Sequence, residues 1–238
     1  MIDKAKDFDK LVAANRILAR EDVVDAFGHV SLRHPDNPSR YVMSRSRAPE
    51  LVEFGDLMEF DLDGEAHDDQ GRTPYGERMI HGAVFEARGE INAVVHNHSH
   101  EVLPFGVTGT TMRPLIHVAS VIGAEIPVWD IADHFGDTDM LVRTMEQGRD
   151  LAETMQANNC LLMRGHGAVV AGRTLEEAVM TAIYLQVNAK VLSAALLQGT
   201  PKGLSPGEIE RSRETQNSPL ARDRAWEYFC SRAGVEAG

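Results

Sequence analysis

The sequence predicts an α/β sandwich built on a mixed or mainly antiparallel sheet. Strand-like and helix-like periodicities interleave along the chain, yet the strand spacings give no regular βαβ series. Neither an internal repeat nor a linker divides it. Phe8, Leu11, Val12 and Leu18 recur at near-helical spacing and open the chain with a helix. GHVSLRHP then alternates, with Val30 and Leu32 on one face and His29, Ser31 and Arg33 on the other. That is the pattern of a half-buried strand, closed by a Pro-Asp-Asn-Pro turn. RYVMSRS and DLMEFDLDG read as two further strands, the second ending on Asp63-Gly64. GERMIHGAVFEAR is helical, and INAVVHNHSH after it is strand-like. A helix runs through MLVRTMEQGRDLAETMQA, and CLLMRGHGAVVAG reads as strand, glycine turn, strand. Thr174 and Glu177 form a capping box for a long helix that stops at Gly199, with Pro201 just beyond. The polar stretch from Ser205 suggests a looser final helix. One domain over residues 1–238 is expected, with its core over about residues 8–200 and a helical tail over 205–238.

Composition narrows the function. The formal net charge of −12 argues against a nucleic-acid footprint and against adhesion to an anionic membrane. No apolar run approaches the roughly eighteen residues that span a bilayer, and the first residues lack a signal-like apolar stretch, so a cytoplasmic protein is expected. Cys160 and Cys230 are too few for a disulfide framework and form no CxxC pair. An acidic protein that handles an anionic substrate must gather positive charge locally, which directs attention to individual arginines.

The chemistry concentrates in histidine. In a strand, His96, His98 and His100 of HNHSH would point the same way, and two imidazoles at i and i+2 can chelate one ion. Taken alone, an HxH pair is more often a core histidine beside an exposed one. His166, flanked by Gly165 and Gly167 at the end of an apolar strand, offers a third ligand from a separate strand and completes a His₃ site with open positions. Glu77 stands four residues before His81 on one helix face. The pair is either a solvated Glu–His contact, or Glu77 is a fourth ligand or general base.

GERMIHGAVFEARGEINAVVHNHSH, followed about seventy residues later by RGHGAVVAGRTLEEAV, resembles the class II aldolase/adducin family. GHVSLR and DLMEFDLDG are similar to the family's first glycine-containing strand and to the strand after its substrate loop. The resemblance implies a three-layer α/β/α sandwich with a central, mainly antiparallel mixed sheet, and a homotetramer with active sites between subunits. It implies one divalent metal ion per subunit on His96, His98 and His166, with zinc, manganese, iron and cobalt all admissible. Glu77 would ligate the metal or shuttle a proton.

The departures point away from a phosphorylated sugar. Gly28-His29 replaces the family's Gly-Asn, Ser44-Arg45-Ser46-Arg47 and the residues after it replace a phosphate loop, and Tyr75-Gly76 replaces Ser-Ser. The family's tyrosine proton donor is missing, and Asp130, Asp133 and His134 stand in its region. The altered loop resembles that of members that decarboxylate hydroxylated aromatic or pyridine dicarboxylic acids. The expectation is therefore a metal-dependent lyase that breaks a C–C bond through a metal-stabilised enolate, by decarboxylation of a hydroxylated aromatic or heteroaromatic acid. Aldol cleavage of a non-phosphorylated substrate is the alternative, ahead of an iron-dependent oxygenase or a non-catalytic adducin-like scaffold. His134 is assigned beside Glu77 as a proton-transfer residue. His29, Ser44, Arg45, Arg47, Tyr75 and Tyr184 are assigned to binding a small acidic substrate. Arg45 and Arg47, two apart on an extended segment, are expected to clamp its carboxylate or else to pair with Glu50 or with acidic residues of a neighbouring subunit.

Overall fold

Period-two alternation sorts the side chains of a seven-stranded sheet into two apolar layers, each covered by helices. The computed structural model describes residues 4–67 and 69–237. In chain order the elements are α1 (Lys4–Arg20), β1 (His29–Arg33), β2 (Arg40–Ser44), β3 (Leu57–Asp61), α2 (Arg78–Ala87), β4 (Ala93–Asn97) and α3 (Leu103–Val107). There follow β5 (Val128–Trp129), α4 (Ala132–Phe135), α5 (Met145–Met155), β6 (Cys160–Met163), β7 (Gly167–Gly172), α6 (Leu175–Gln198), α7 (Pro206–Gln216) and α8 (Pro219–Ala233). The strand order is β3-β2-β1-β4-β7-β6-β5, antiparallel throughout except for the short β5–β6 pair. The mainly antiparallel mixed sheet expected from the sequence is what forms.

Val30, Val42, Val95, Leu162 and Val170 pack toward α1, α6 and α8, while Met43, Phe60, Val94, Leu161 and Val169 pack toward α2 and α5. In α1 the fully buried stripe is Leu11, Ala14, Ile17 and Leu18, with Val12 only partly covered. Among the described residues α6 is the one helix long and apolar enough to cross a membrane, with a mean hydropathy of 1.3 over its most apolar window. Half of that window is buried, and the helix packs on α1, α8, β4 and β7, so its apolar composition serves the core.

Three expectations change. The polar face of β1 is not solvated. α2 lies over it, and His29, Ser31 and Arg33 are 4%, 0% and 8% exposed. Arg33 survives there because its guanidinium donates to the carbonyls of Ile91, Pro38, Phe85 and Arg88. The Thr174 cap is half of the expected box: Thr174 Oγ1 accepts from Glu177 N, but the Glu177 carboxylate reaches Arg173 N, one residue further out. The tail forms two capped helices, α7 under a Ser205–Glu208 box and α8 under Ser218.

Candidate metal centre

Antiparallel register brings the histidines of separate strands together. His29 at the start of β1 lies opposite His96 in β4, and Val169 of β7 flanks His96 on the other side. The β6–β7 hairpin then delivers His166 from its turn, which Gly165 closes at φ +64°. Gly167 is required for a different reason. A Cβ there would run into the Asn97 carbonyl and sit 3.0 Å from His98 Cδ2, so only glycine lets the end of β4 approach. The chain leaves the sheet after Asn97, and the Asn97 side chain caps the turn by accepting from Ser99 N. His96, His98 and His100 therefore do not share a strand face as expected. His98 still reaches the cluster, whereas His100 is exposed.

One ligand atom from each of Glu77, His96, His98 and His166 lies within 4.8 Å of the others. His98 Nε2 is 3.0 Å from His96 Nε2 and 3.1 Å from His166 Nε2. Glu77 Oε2 is 3.7 Å from His96 Nε2 and 3.5 Å from His166 Nε2. Outside this ring, His96 Nδ1 sits 3.1 Å from the Ala168 carbonyl and His166 Nδ1 2.8 Å from the Met140 carbonyl. A carbonyl can only accept, so both Nδ1 atoms carry the proton and both Nε2 lone pairs face the centre. Met140 holds φ +66°, a left-handed conformation rare outside glycine, while its carbonyl meets His166. Glu77 is the N-cap of α2 rather than an interior helical residue, and its Oε1 accepts from Val142 N at 3.0 Å.

Charge in this centre is set by competition. Burial pushes the Glu77 carboxyl up, but His166, which can donate to it from Nε2 only when its ring is doubly protonated, and the fields of His96 and His166 hold it at about 2. Burial drives His96 well below its ordinary value, and it lowers His98 with help from His166. For His166 burial opposes protonation, and the neighbouring Glu77 overrides it and raises the pKa. The donor set, three imidazole nitrogens and one ionised carboxylate around a common point, fits a divalent ion.

His81 is not the solvated partner of Glu77. It is fully buried in α2, with Nδ1 2.6 Å from Ser31 Oγ and Nε2 2.6 Å from His29 Nδ1. The His29 ring lies 5.0 Å from that of His96 and 4.6 Å from that of Tyr75.

The Class II Aldolase and Adducin N-terminal domain profile matches residues 9–193. The chain belongs to the class II aldolase/adducin family. It is 33% identical to decarboxylase TropJ of Talaromyces stipitatus, with 90% of each chain covered. It is 28% identical to a 3,4-dihydroxyphthalate decarboxylase of Arthrobacter keyseri, over 82% of this chain and 79% of that one. The structure of L-fuculose 1-phosphate aldolase from Glaciozyma antarctica PI12 superposes with a TM-score of 0.77, at 23% identity, over 97% of this chain and 90% of that one, and shares the fold.

The other residues expected at the site of this class II aldolase relative divide in two. Tyr75 joins the centre through His29, and its hydroxyl donates to the Arg47 carbonyl; Ser44, 1% exposed, ends β2 nearby. Arg45 and Arg47 both bind Asp56, through Arg45 Nε to Oδ1 at 2.7 Å and Arg47 Nη1 to Oδ2 at 2.6 Å. Their partner is thus this buried aspartate rather than Glu50. His134 is exposed on α4, with Nδ1 2.6 Å from Asp150 Oδ1, and lines a different cavity with Arg149 and Glu153. Asp130 pairs with Arg164, and Asp133 is exposed. Tyr184 lies half-buried on α6 against a pocket of Met180, Arg224 and Phe229. Within one chain neither His134 nor Tyr184 touches the cluster.

A cleft of about 680 Å³ reaches His98, and Asp22, Asp25, Glu50 and Glu101 line it together with His100. Its lining holds no arginine or lysine, so local positive charge is not supplied at this mouth. Sequence reasoning missed Asp56 and the backbone of residues 140–142. Neither carries a local signal, because both act through tertiary hydrogen bonds.

Proposed function

We propose that this chain is a metal-dependent carbon–carbon lyase that decarboxylates a hydroxylated aromatic or heteroaromatic (di)carboxylic acid. The observation that carries the reading is the buried His₃–Glu cluster, with its Nε2 lone pairs turned inward by carbonyl contacts at Nδ1. A divalent ion held by His96, His98, His166 and Glu77 supplies a Lewis acid for the charge that develops as the C–C bond breaks. Decarboxylation is favoured over aldol cleavage by the relatives named above and by the arginine-bearing loop where the family resemblance places a phosphate loop.

The chain's own residues bind and orient. Asp56 holds Arg45 by Nε, which leaves the terminal nitrogens of a 37%-exposed side chain to take a substrate carboxylate in a bidentate fork. Arg47 braces the loop through Asp56 and, through its carbonyl, fixes Tyr75 over His29. Ser44, Tyr75 and His29 form the wall between that loop and the cluster. Glu77 is ionised at neutral pH, so the proton that replaces the departing CO₂ on carbon comes from a bound water or from His134 of a second copy rather than from Glu77.

The proposal extends to one domain and a cytoplasmic homotetramer with sites between subunits. Phe27, Leu51 and Phe54, 65%, 57% and 51% exposed in this single chain, support a second copy covering this region. Such a copy is also what would bring His134 or Tyr184 to a cluster that neither reaches alone.

The test is to assay metal-loaded protein without oxygen against ortho-hydroxy aromatic dicarboxylic acids, following CO₂ and the phenolic product together. Equal release of both is expected. An aldehyde and a keto compound from an unphosphorylated aldol would transfer the activity to aldol cleavage. A requirement for O₂ would overturn both.

A further inference from the structure

The buried chain Ser31–His81–His29 is not part of the metal cluster, yet it ends beside it. Each link is 2.6 Å long, and Ser31 and His81 are fully buried. Only two proton arrangements satisfy both links with neutral rings. In one, Ser31 Oγ–H donates to His81 Nδ1 and His81 Nε2–H donates to His29 Nδ1, which leaves His29 with its proton on Nε2. In the other, every link reverses, and His29 Nε2 is a bare lone pair.

The serine decides between them. Its hydroxyl meets no partner but His81 Nδ1 among the described residues. If it accepted from His81, its own hydrogen would be buried without an acceptor, and orphaned buried donors are rarer than under-used acceptor lone pairs. Donation from Ser31 therefore sets the first link, and the rest of the chain follows. His29 and His81 are 4% and 0% exposed, and their side-chain hydrogen bonds among the described residues run to each other and to Ser31. No carboxylate bonded to either ring offsets the cost of burying a charge, so both stay neutral. Tyr41, stacked at 16° to the His81 ring, and Tyr75 against His29 hold the two rings in place. His29 Nε2 has no protein partner among the described residues and is not among the unpaired polar atoms sealed from solvent.

We propose that Ser31 and His81 are positioning residues that lock His29 as an Nε2–H donor, so that the site selects ligands presenting an anionic or carbonyl oxygen beside the metal cluster. The proposal rests on the oxyacid lyase reading, which names the kind of oxygen received. Fixing the tautomer in advance spares the ligand the cost of reversing three hydrogen-bonded groups.

The test uses zinc-loaded protein labelled with ¹⁵N-histidine, its His29 signals assigned by their loss in His29→Gln, with salicylate as the ligand. In the unsubstituted protein the His29 signals should show a protonated Nε2 and a bare Nδ1. In Ser31→Ala the His29 tautomers should mix, and salicylate should bind about tenfold more weakly, at unchanged zinc content. Ser31→Thr, which keeps the hydroxyl, should restore both readings. A protonated Nδ1 in the unsubstituted protein would overturn the assignment without recourse to any variant. Unchanged salicylate affinity in a Ser31→Ala protein whose tautomers do mix would overturn the selective role. Neither reading involves turnover, so failure to release CO₂ would count against the decarboxylase alone.

Discussion

His98 is partly exposed and lines the open cleft, so removing it disturbs the interior less than removing the fully buried His96. In His98→Ala the bound metal should fall from about one ion per chain to a small fraction, read by elemental analysis, with metal-free thermal stability nearly unchanged. Retention of the full metal content would reject the assignment. Asp56 is the residue for which pH should matter. Burial pushes its carboxyl up, but the hydrogen bonds from Glu53 N, Arg45 and Arg47 hold it below the ordinary carboxylate value. A depressed folded pKa gives stabilisation that is present above the unfolded value, about 3.9, and is lost as pH falls through the folded one. Asp56→Asn should cost about 2 kcal/mol at pH 7, less than a fully buried pair because Arg45 is more than a third exposed. In urea unfolding the gap between variant and unsubstituted protein should close as pH drops below about 4.

At the scale of elements, two turns govern the centre. The β6–β7 hairpin holds His166, and Gly167 lets it pass under Asn97. Gly167→Ala should destabilise by roughly 1–3 kcal/mol through overpacking against a carbonyl that cannot withdraw from its strand. It should also weaken metal binding, because His98 Cδ2 is the next atom displaced. A variant with unchanged stability and metal affinity would show that β4 can yield there. On the opposite side, α5 begins at Thr144, whose side chain forms a reciprocal box with Gln147 just after the segment that holds Glu77 and His166. Thr144→Ala should cost about 1 kcal/mol and lower the melting temperature by about 2–4 °C.

Over the whole molecule, a net charge of −12 and an acid-lined cleft stand against an anionic substrate unless charge arrives from elsewhere. The tetramer proposal predicts a sedimentation mass of four chains near neutral pH. Phe27→Asp, beside His98 with ring centroids 6.4 Å apart, should shift that mass toward smaller species and reduce activity together. Activity retained by a monomer would show that one chain is sufficient. The steering expected of the cleft has a definite sign: screening acid–anion repulsion, added salt should raise rather than lower the association rate of a dianionic substrate.

Much of this architecture was legible in the sequence because it rests on local periodicity. Alternation in GHVSLR and INAVV and helical spacing in AVMTAIYLQVNAKVLSAALL decide which face of each element is apolar, and apolar faces must pair in layers. The glycines around His166 marked the hairpin, since only a few residue types tolerate such a turn. What the tertiary structure alone decided was which polar group meets which. His81 looked like a partner of Glu77 by helical spacing, but the placement of α2 over β1 gave it to Ser31 and His29. The spacing of Arg45 and Arg47 left a substrate clamp and an acidic partner equally open, and a turn eleven residues after the first and nine after the second supplied Asp56 to both. Periodicity is a property of a segment and can be read along the chain. A hydrogen-bond partner is a property of two segments, and no pattern in either one encodes the register and tilt that bring them within 3 Å.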